Sequence, residues 1–473
     1  MTENATSTRS ERLTGHLGTV GVVFMVVAAA APLTVIGGNM PLAMGLGNGA
    51  GAPVGFLIAA LVLLLFSIGF VTMTPYVPEA GAFFSYVTVG LGKRAGMGIA
   101  VVALIAYTAI QVGIYGYIGW AIDDTVRFYN GPQIPWPVYS FVILAIVALL
   151  GYRHIELSAK VLGVALVLEI GIVLILDLVI FADPGPAGLT LASFEPSVFT
   201  QGTIGIAVLF ALTGFIGFEA TAVFRDEARD PERTIPRATY AAVLIIGGFY
   251  AMTCWAFVVA IGPDQVAAVA QKTLDGEANM LLDTTDDTLG RVGRDVVNVL
   301  LLSSLFACVL SFHNVIARYQ FVLAGKGLLP KRLGDVHPTH HSPAFSSVVQ
   351  TVTAALIVLI LAVFQVDPLV GVFGSMAGVA TVGMVILMLT TSVAVLVYFV
   401  RQRAGGRLWQ TRIAPALACL GLLASLWLVL SNFTLVTGGS VALSTMLALV
   451  PFVGLLVGFV VGQPERRRVS ATA

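Results

Sequence analysis

Charge is what this 473-residue chain has least of. Asp, Glu, Lys and Arg make up 11% of it, less than half of the roughly 25% usual in soluble domains. The 25 basic residues offset 25 acidic ones, so there is no basic footprint and no nucleic-acid partner is expected. Cysteine is also scarce. Cys254, Cys308 and Cys419 each fall inside an apolar stretch, which argues against a disulfide framework or a thiolate metal site. Neither G-x-S-x-G nor H-E-x-x-H occurs, and no set of paired acids with metal-ligand spacing lies at a water edge, so an enzyme is not expected. His337, His340 and His341 share a segment with Pro338 and Pro343. No cysteine or carboxylate completes a ligand shell there, and they read as loop residues. No cofactor and no metal site is expected.

What is present is hydrophobic: 58% of residues, with a mean hydropathy of +0.94. A chain this apolar cannot bury its side chains in one aqueous core and reads as an all-α polytopic membrane protein, its partner the lipid bilayer. No charged residue occurs between Arg12 and Glu79, Arg94 and Asp123, Arg127 and Arg153, Arg237 and Asp264, Asp295 and Arg318, Asp367 and Arg401, or Arg412 and Glu465. With roughly 20 apolar residues per crossing, these gaps predict twelve helices. Helices 1 to 6 fall near 17–45, 52–74, 95–121, 136–152, 157–181 and 203–225. Helices 7 to 12 fall near 238–261, 295–323, 344–364, 374–400, 413–431 and 441–462. The expected organisation is a polar tail over 1–14, a transport core over 15–400, two further helices over 401–463, and a second tail over 464–473.

Basic residues set the expected orientation. Arg9, Arg12, Lys93, Arg94, Arg153, Lys160, the cluster from Arg225 to Arg237, Lys326, Lys331, Arg332, and the runs Arg401 to Arg412 and Arg466 to Arg468 fall on one side. Arg127, Lys272 and Arg291 fall on the other. The crowded side is predicted to be cytoplasmic, with both termini inside and the protein in the cytoplasmic (inner) membrane. Trp120 and Trp136 flank an external loop and suit an interfacial aromatic belt.

Two spans carry interruptions. Helix 1 contains Pro32 in mid-span, which lacks an N–H and breaks the hydrogen-bond ladder. Helix 6 reads TIGIAVLFALTGFIGFEATAVF, where two glycines and a Thr precede a lone Glu, and glycine costs about 1 kcal/mol in a helix interior. Interruptions at matched places in two halves point to a transporter built on an inverted repeat, here five helices plus five. The freed backbone groups cannot be satisfied by lipid, but a small polar solute can satisfy them. The half-helix starting near Thr34 aims a positive dipole end at an anionic group, and the carbonyl ends near Ala31 and Thr213 meet a cationic one.

Three stretches are similar to the amino acid–polyamine–organocation superfamily. FIGFE followed by RDEARDPERTIPRA matches its helix 6 signature through Phe215, Gly217, Phe218, Glu219, Glu227, Asp230, Pro231, Arg233 and Ile235 to Ala238. Tyr76 to Gly96 resembles the family's loop before helix 3, and His313 to Pro343 its helix 8 end and following loop. The resemblance implies the five-plus-five fold with discontinuous helices 1 and 6 and two extra C-terminal helices. It also implies secondary transport of an amino acid or related small amine. Where many relatives carry Gly-Ser-Gly at the helix 1 break, whose amides hold the substrate carboxylate, this chain has Pro32, Leu33 and Thr34. Where relatives often place a Lys in helix 5, it has Glu169.

The candidate substrate-binding residues are Ala31, Pro32, Leu33 and Thr34 on helix 1, Gln111 on helix 3, and Thr213, Gly214, Phe215, Gly217 and Phe218 on helix 6. Tyr107, Gln111 and Tyr115 recur at i, i+4 and i+8, one face of helix 3. Only three carboxylates fall well inside spans: Glu169, Asp177 and Glu219. Intramembrane acids are costly and mark functional sites by default. Glu219 is the first choice for proton coupling, with a structural bond to freed backbone as the alternative. Glu169, about 18 Å into helix 5, reads as a second proton site, a partner for a substrate ammonium, or a packing contact. Asp177 reads as wetted near the external interface. The proton is the expected coupling ion. Sodium, held by Ser303, Ser304 and Ser311 with helix 1 carbonyls, is the alternative, against plain packing by small residues. His313 and Asn314, with Arg318, read as an anchor at the cytoplasmic end of helix 8. An uncoupled exchanger, a polyamine or organocation permease and a solute-sensing transceptor remain open beside the importer, and nothing in the sequence sets the oligomeric state.

Overall fold

Because Pro32 has no N–H to continue the ladder, the first span cannot run as one rod. The computed structural model describes residues 18–77, 83–153, 159–219, 221, 228–327, 329–337, 342–402 and 407–462. In it the first half of helix 1 covers Thr19–Ala29, and Ala31 turns into left-handed backbone at φ 46° and ψ 72°. Pro32 then opens a second half, residues 32–46, made of alternating α- and π-turns. A left-handed non-glycine residue costs on the order of 1 kcal/mol or more and persists where its surroundings hold it. Ala31 is buried.

Every regular element among the described residues is a helix. Among the described residues, nine helical stretches are long and apolar enough to cross a membrane. The first of them, Thr19–Tyr76, turns back at Gly47–Gly51 into helix 2, Ala52–Met73. Two shorter apolar helices are Trp136–Tyr152 (helix 4) and Ile204–Thr213, the first half of helix 6. Helix 3 is Lys93–Phe128, helix 5 Ala159–Ala182, helix 7 Pro231–Ile261 and helix 8 Met280–Gly325, kinked at Gly290. Helix 9 is Ala344–Val363, helix 10 Pro368–Gln402, helix 11 Trp409–Ser431 and helix 12 Val441–Val461. The second half of helix 6 and most of its charged exit, 222–227, lie outside the described residues, as do both tails and His340 and His341.

Helices 1, 2, 6 and 7 pack on one another as one bundle. Helices 3, 4, 8 and 9 form a second, helix 5 lies against 7 and 8, and helix 10 packs between 3 and 11. Outward faces carry large apolar side chains such as Val142, Val167, Leu356, Trp427 and Val460, as lipid requires. Polar side chains such as Gln111, Glu169 and Glu219 are buried, where other helices can satisfy them. Trp136 is partly exposed. Trp120, by contrast, is buried and lies 5.9 Å from the Tyr117 ring, so it packs within the protein instead of at a lipid interface.

Candidate functional site

Breaking helix 1 frees backbone groups, and side chains of neighbouring helices take them up. The Tyr250 hydroxyl on helix 7 donates to the Ala30 carbonyl at 3.1 Å. On helix 5 the Glu169 side chain is buried, 4% exposed. Ser304 on helix 8 donates to Oε2 of its carboxyl at 3.0 Å. Of the three helix 8 serines, only Ser304 points inward; Ser303 and Ser311 are exposed.

The helix 6 break is built differently. After Thr213 the chain tightens into successive turns, with Phe215, Ile216 and Phe218 each donating to the carbonyl three residues back at 3.1 Å. Gly217 then takes φ 109°, backbone that a residue with a Cβ adopts only under strain. Its N–H donates to Oε2 of Glu219 at 2.9 Å. The other oxygen, Oε1, accepts the Tyr107 hydroxyl of helix 3 at 2.7 Å. Glu219 is 4% exposed, so both its oxygens are matched inside the protein. Asn39 ties the two broken helices together by donating to the Phe210 carbonyl at 2.9 Å.

Between the breaks lies a cavity of about 30 Å³, walled by Ala30, Ala31, Thr34, Thr213, Cys308 and Phe373 among others. That is room for little more than a water or two, so this arrangement is a closed one. Thr34 lines the cavity and is 6% exposed, and its buried hydroxyl has no hydrogen-bond partner among the described residues. The Thr213 hydroxyl donates to the Leu209 carbonyl at 2.9 Å and meets that of Thr381 at 2.5 Å. A larger hollow of about 570 Å³ lies between helices 5 and 8. It is an open groove walled by Val167, Leu168, Ile175, Val296 and Val299, an apolar surface suited to lipid.

The residues singled out in the sequence are therefore distributed unevenly. Ala31, Thr34 and Thr213 line the cavity. Pro32 and Leu33 are buried in the helix 1 break, and Gly214 packs against Val35 and Tyr250. The Phe215 ring meets Tyr250 edge-on at 6.4 Å, and Phe218 meets Phe66 edge-on at 5.9 Å. Gln111 faces away from the cavity. Its Nε2 lies 3.4 Å from Nδ1 of His313, and its Oε1 accepts from Gln350 at 2.7 Å.

Two expectations outside that set are corrected. His313 is buried and bonded on both ring nitrogens, the second to Ser347 at 2.8 Å, so it joins helices 3, 8 and 9 inside the protein. Asp177 is 1% exposed and accepts the Thr253 hydroxyl at 2.7 Å; helix 7 covers it, so it is not wetted. The sequence reading missed Tyr250 and Gln350, a tyrosine and an amide that nothing in their own apolar helices marked out.

An all-helical membrane protein with two interrupted spans flanking a small cavity has the build of a small-solute transporter. The chain belongs to the amino acid permease family, whose model matches residues 17–458, and through it to the amino acid–polyamine–organocation superfamily. It is similar to the branched-chain amino acid permease BcaP of Bacillus subtilis, 23% identical over 399 residues that cover 81% of each chain. It is also similar to the low-affinity putrescine importer PlaP of Escherichia coli, 24% identical over 367 residues, 75% of this chain and 77% of that one. The serine/threonine exchanger SteT of Bacillus subtilis is 21% identical over 312 residues, 64% of this chain and 67% of that one.

Proposed function

We propose that this protein imports an amino acid or related small amine across the cytoplasmic membrane by alternating access, in symport with a proton bound at Glu219. In this reading the chain makes twelve crossings, with both termini cytoplasmic and the first ten helices forming the transport core. Helices 1, 2, 6 and 7 rock against the rest around a site comprising Ala31, Thr34 and Thr213, with Pro32, Leu33, Gly214, Phe215, Gly217 and Phe218 shaping the breaks.

The observation that carries the coupling is the pair of donors on Glu219. An ionised carboxylate accepts from the Gly217 N–H and the Tyr107 hydroxyl together. A protonated carboxyl carries its hydrogen on one oxygen. With the Gly217 N–H an obligatory donor to Oε2, that hydrogen sits on Oε1 and the Tyr107 hydroxyl must turn to accept it, so the bond reverses direction and loses its ionic character. Proton binding thereby alters the tie between the interrupted helix and helix 3. The relatives' activities, a branched-chain amino acid permease, a serine/threonine exchanger and a putrescine importer, support a small amine-bearing solute. Reconstituted in proteoliposomes, Glu219→Gln is expected to lose uptake driven by a pH gradient while retaining exchange. Gradient dependence equal to wild type would remove Glu219 from the coupling role.

A further inference from the structure

Asp177 has no part in the cycle above, yet it is the more deeply buried of the two acids on helix 5, at 1% exposure against 4% for Glu169. One oxygen, Oδ2, accepts the Thr253 hydroxyl of helix 7 at 2.7 Å. The other, Oδ1, is buried with no hydrogen-bond partner among the described residues, and Asp177 belongs to no ion pair among them. Helices 1, 7 and 8 pack on helix 5. Helix 1 carries no titratable side chain over 18–46. On helix 7, Tyr250 donates to the Ala30 carbonyl, Cys254 is fully buried, and Glu232, Arg233, Arg237 and Tyr240 lie toward the other end. On helix 8, Arg291 pairs with Asp295 and Arg294 with Asp283, Asp286 and Asp287 precede the kink, and Cys308 lines the cavity. Asp183 and Glu195, in the segment after helix 5, are exposed. A charge buried with no counter-ion is strongly disfavoured, so the closed arrangement holds Asp177 as the neutral acid. With Thr253 donating to Oδ2, the acid's own hydrogen lies on Oδ1.

This neutral acid sits close to water. Helix 5 ends at Ala182, about 7.5 Å further along its axis. One turn out from Asp177, the seam between helices 5 and 7 carries an aromatic cluster. Phe181 meets Trp255 at 4.8 Å, and Phe194 meets the same indole edge-on at 5.8 Å. The Trp255 Nε1–H donates to the Thr190 carbonyl at 2.8 Å, which fixes the ring. Phe181 and Trp255 are half-buried and Phe194 is exposed, so the cluster reaches from the surface into the seam. The Thr253 bond also belongs to the seam and not to its own helix. Thr213, Thr239, Thr285, Thr351 and Thr391 each donate to the carbonyl four residues back, whereas Thr253 donates across to helix 5. Helix 7 belongs to the moving bundle and helix 5 does not, so rocking parts the two. We propose that Asp177 is a second proton-binding group of the transport cycle: the seam closes over it only when it holds a proton, and opening beneath the Phe181–Trp255–Phe194 cluster returns that proton to water. Loading moves a proton from water to Oδ1, and release reverses the step. The proposal rests on the transporter reading above and adds to it a titrating site separate from Glu219.

The test needs no substrate in its first arm. Infrared pH-difference spectra of the purified full-length protein are expected to show a protonated carboxyl band at neutral pH that is missing in Asp177→Asn. Trp255→Ala opens the cluster to water and is expected to lower the pH at which that band titrates by at least about one unit, a tenfold loss of proton affinity. If Asp177→Asn does not fold, Thr253→Val supplies the assignment, because losing the donor on Oδ2 shifts the same band. The second arm measures uptake of valine, serine and putrescine into proteoliposomes across a range of external pH. Asp177→Asn copies the neutral acid and is expected to remove one step of the pH profile while leaving a dependence on the pH gradient. A wild-type protein with no such band, a band that titrates identically in Trp255→Ala, or an Asp177→Asn protein with the wild-type uptake profile would each overturn the proposal and leave the transporter reading intact. Uptake of none of the three solutes by wild type would overturn that reading and the cycle role with it, while the infrared band still decides whether Asp177 holds a proton.

Discussion

Tyr107 and Glu219, 112 positions apart in the chain, are joined by a 2.7 Å hydrogen bond between helix 3 and the interrupted segment of helix 6. The same carboxyl holds the N–H of Gly217, the residue whose left-handed backbone makes the interruption. Tyr107→Phe removes one donor and keeps the ring and its packing. Interhelical hydrogen bonds in membranes average about 0.6 kcal/mol, so the unfolding temperature in detergent should change little. Uptake driven by a pH gradient is expected to fall by about tenfold, because any state of the cycle that uses the ionised carboxyl loses a charge-assisted bond of about 1.5–3 kcal/mol. Wild-type uptake and pH dependence in this variant would show that the bond is only structural.

A second buried chain is predicted to matter for stability. Gln320 donates to Gln350, Gln350 to Gln111, and the Gln111 amide nitrogen faces Nδ1 of His313. With Nδ1 accepting, the ring proton lies on Nε2 and is donated to Ser347. His313→Phe leaves the Gln111 amide and the Ser347 hydroxyl without this partner in a dry interior, at about 1–3 kcal/mol for each unsatisfied group. Thermal unfolding in detergent should drop by several degrees. Gly151→Ala should act in the same sense, since a methyl there would lie 2.5 Å from the His313 ring. Equal stability of both variants and wild type would show that the chain is not holding helices 3, 8 and 9 together.

The parts of this architecture legible in the sequence were those that violate a rule for membrane helices. Pro32 removes an N–H, Gly214 and Gly217 weaken a span, and Glu169 and Glu219 place charge where hydrocarbon forbids it. Span limits followed from the same contrast: the predicted 344–364 is Ala344–Val363, and the predicted end of helix 11 at 431 is Ser431. Helix 7 begins at Pro231 instead of near 238, because a proline in the first turn loses no ladder bond and charged residues are tolerated at a helix start. What the sequence could not supply was facing. In a soluble helix the polar stripe marks the outside, but here lipid-facing and protein-facing sides are both apolar. Gln111 could therefore be assigned to a helix face by its spacing, yet not to His313 and Gln350 in place of the cavity. Asp177 was misread for a related reason: depth along helix 5 suggested contact with water, while rotation about the helix axis placed it against Thr253.

Packing of the second half of helix 1 against helices 3 and 10 depends on close approach at glycine. A Cβ at Gly38 would lie 2.8 Å from ring atoms of both Tyr117 and Phe373, on helices 3 and 10. Gly38→Ala must therefore shift two large buried rings, and overpacking of this kind costs typically about 1–3 kcal/mol. The penalty falls on the closed arrangement, in which helix 1 lies against those rings, and not on an arrangement in which it has moved away. An equilibrium between the two should shift by about five- to a hundredfold toward the open one. Cys308 reports on that shift, since it lines the cavity between the breaks, whereas Cys254 is fully buried. In the Gly38→Ala variant, a small water-soluble thiol reagent should label Cys308 faster than in wild type, and Cys308→Ser should abolish the increase. Unchanged labelling together with unchanged uptake would mean that this half of helix 1 does not move against helices 3 and 10 during transport.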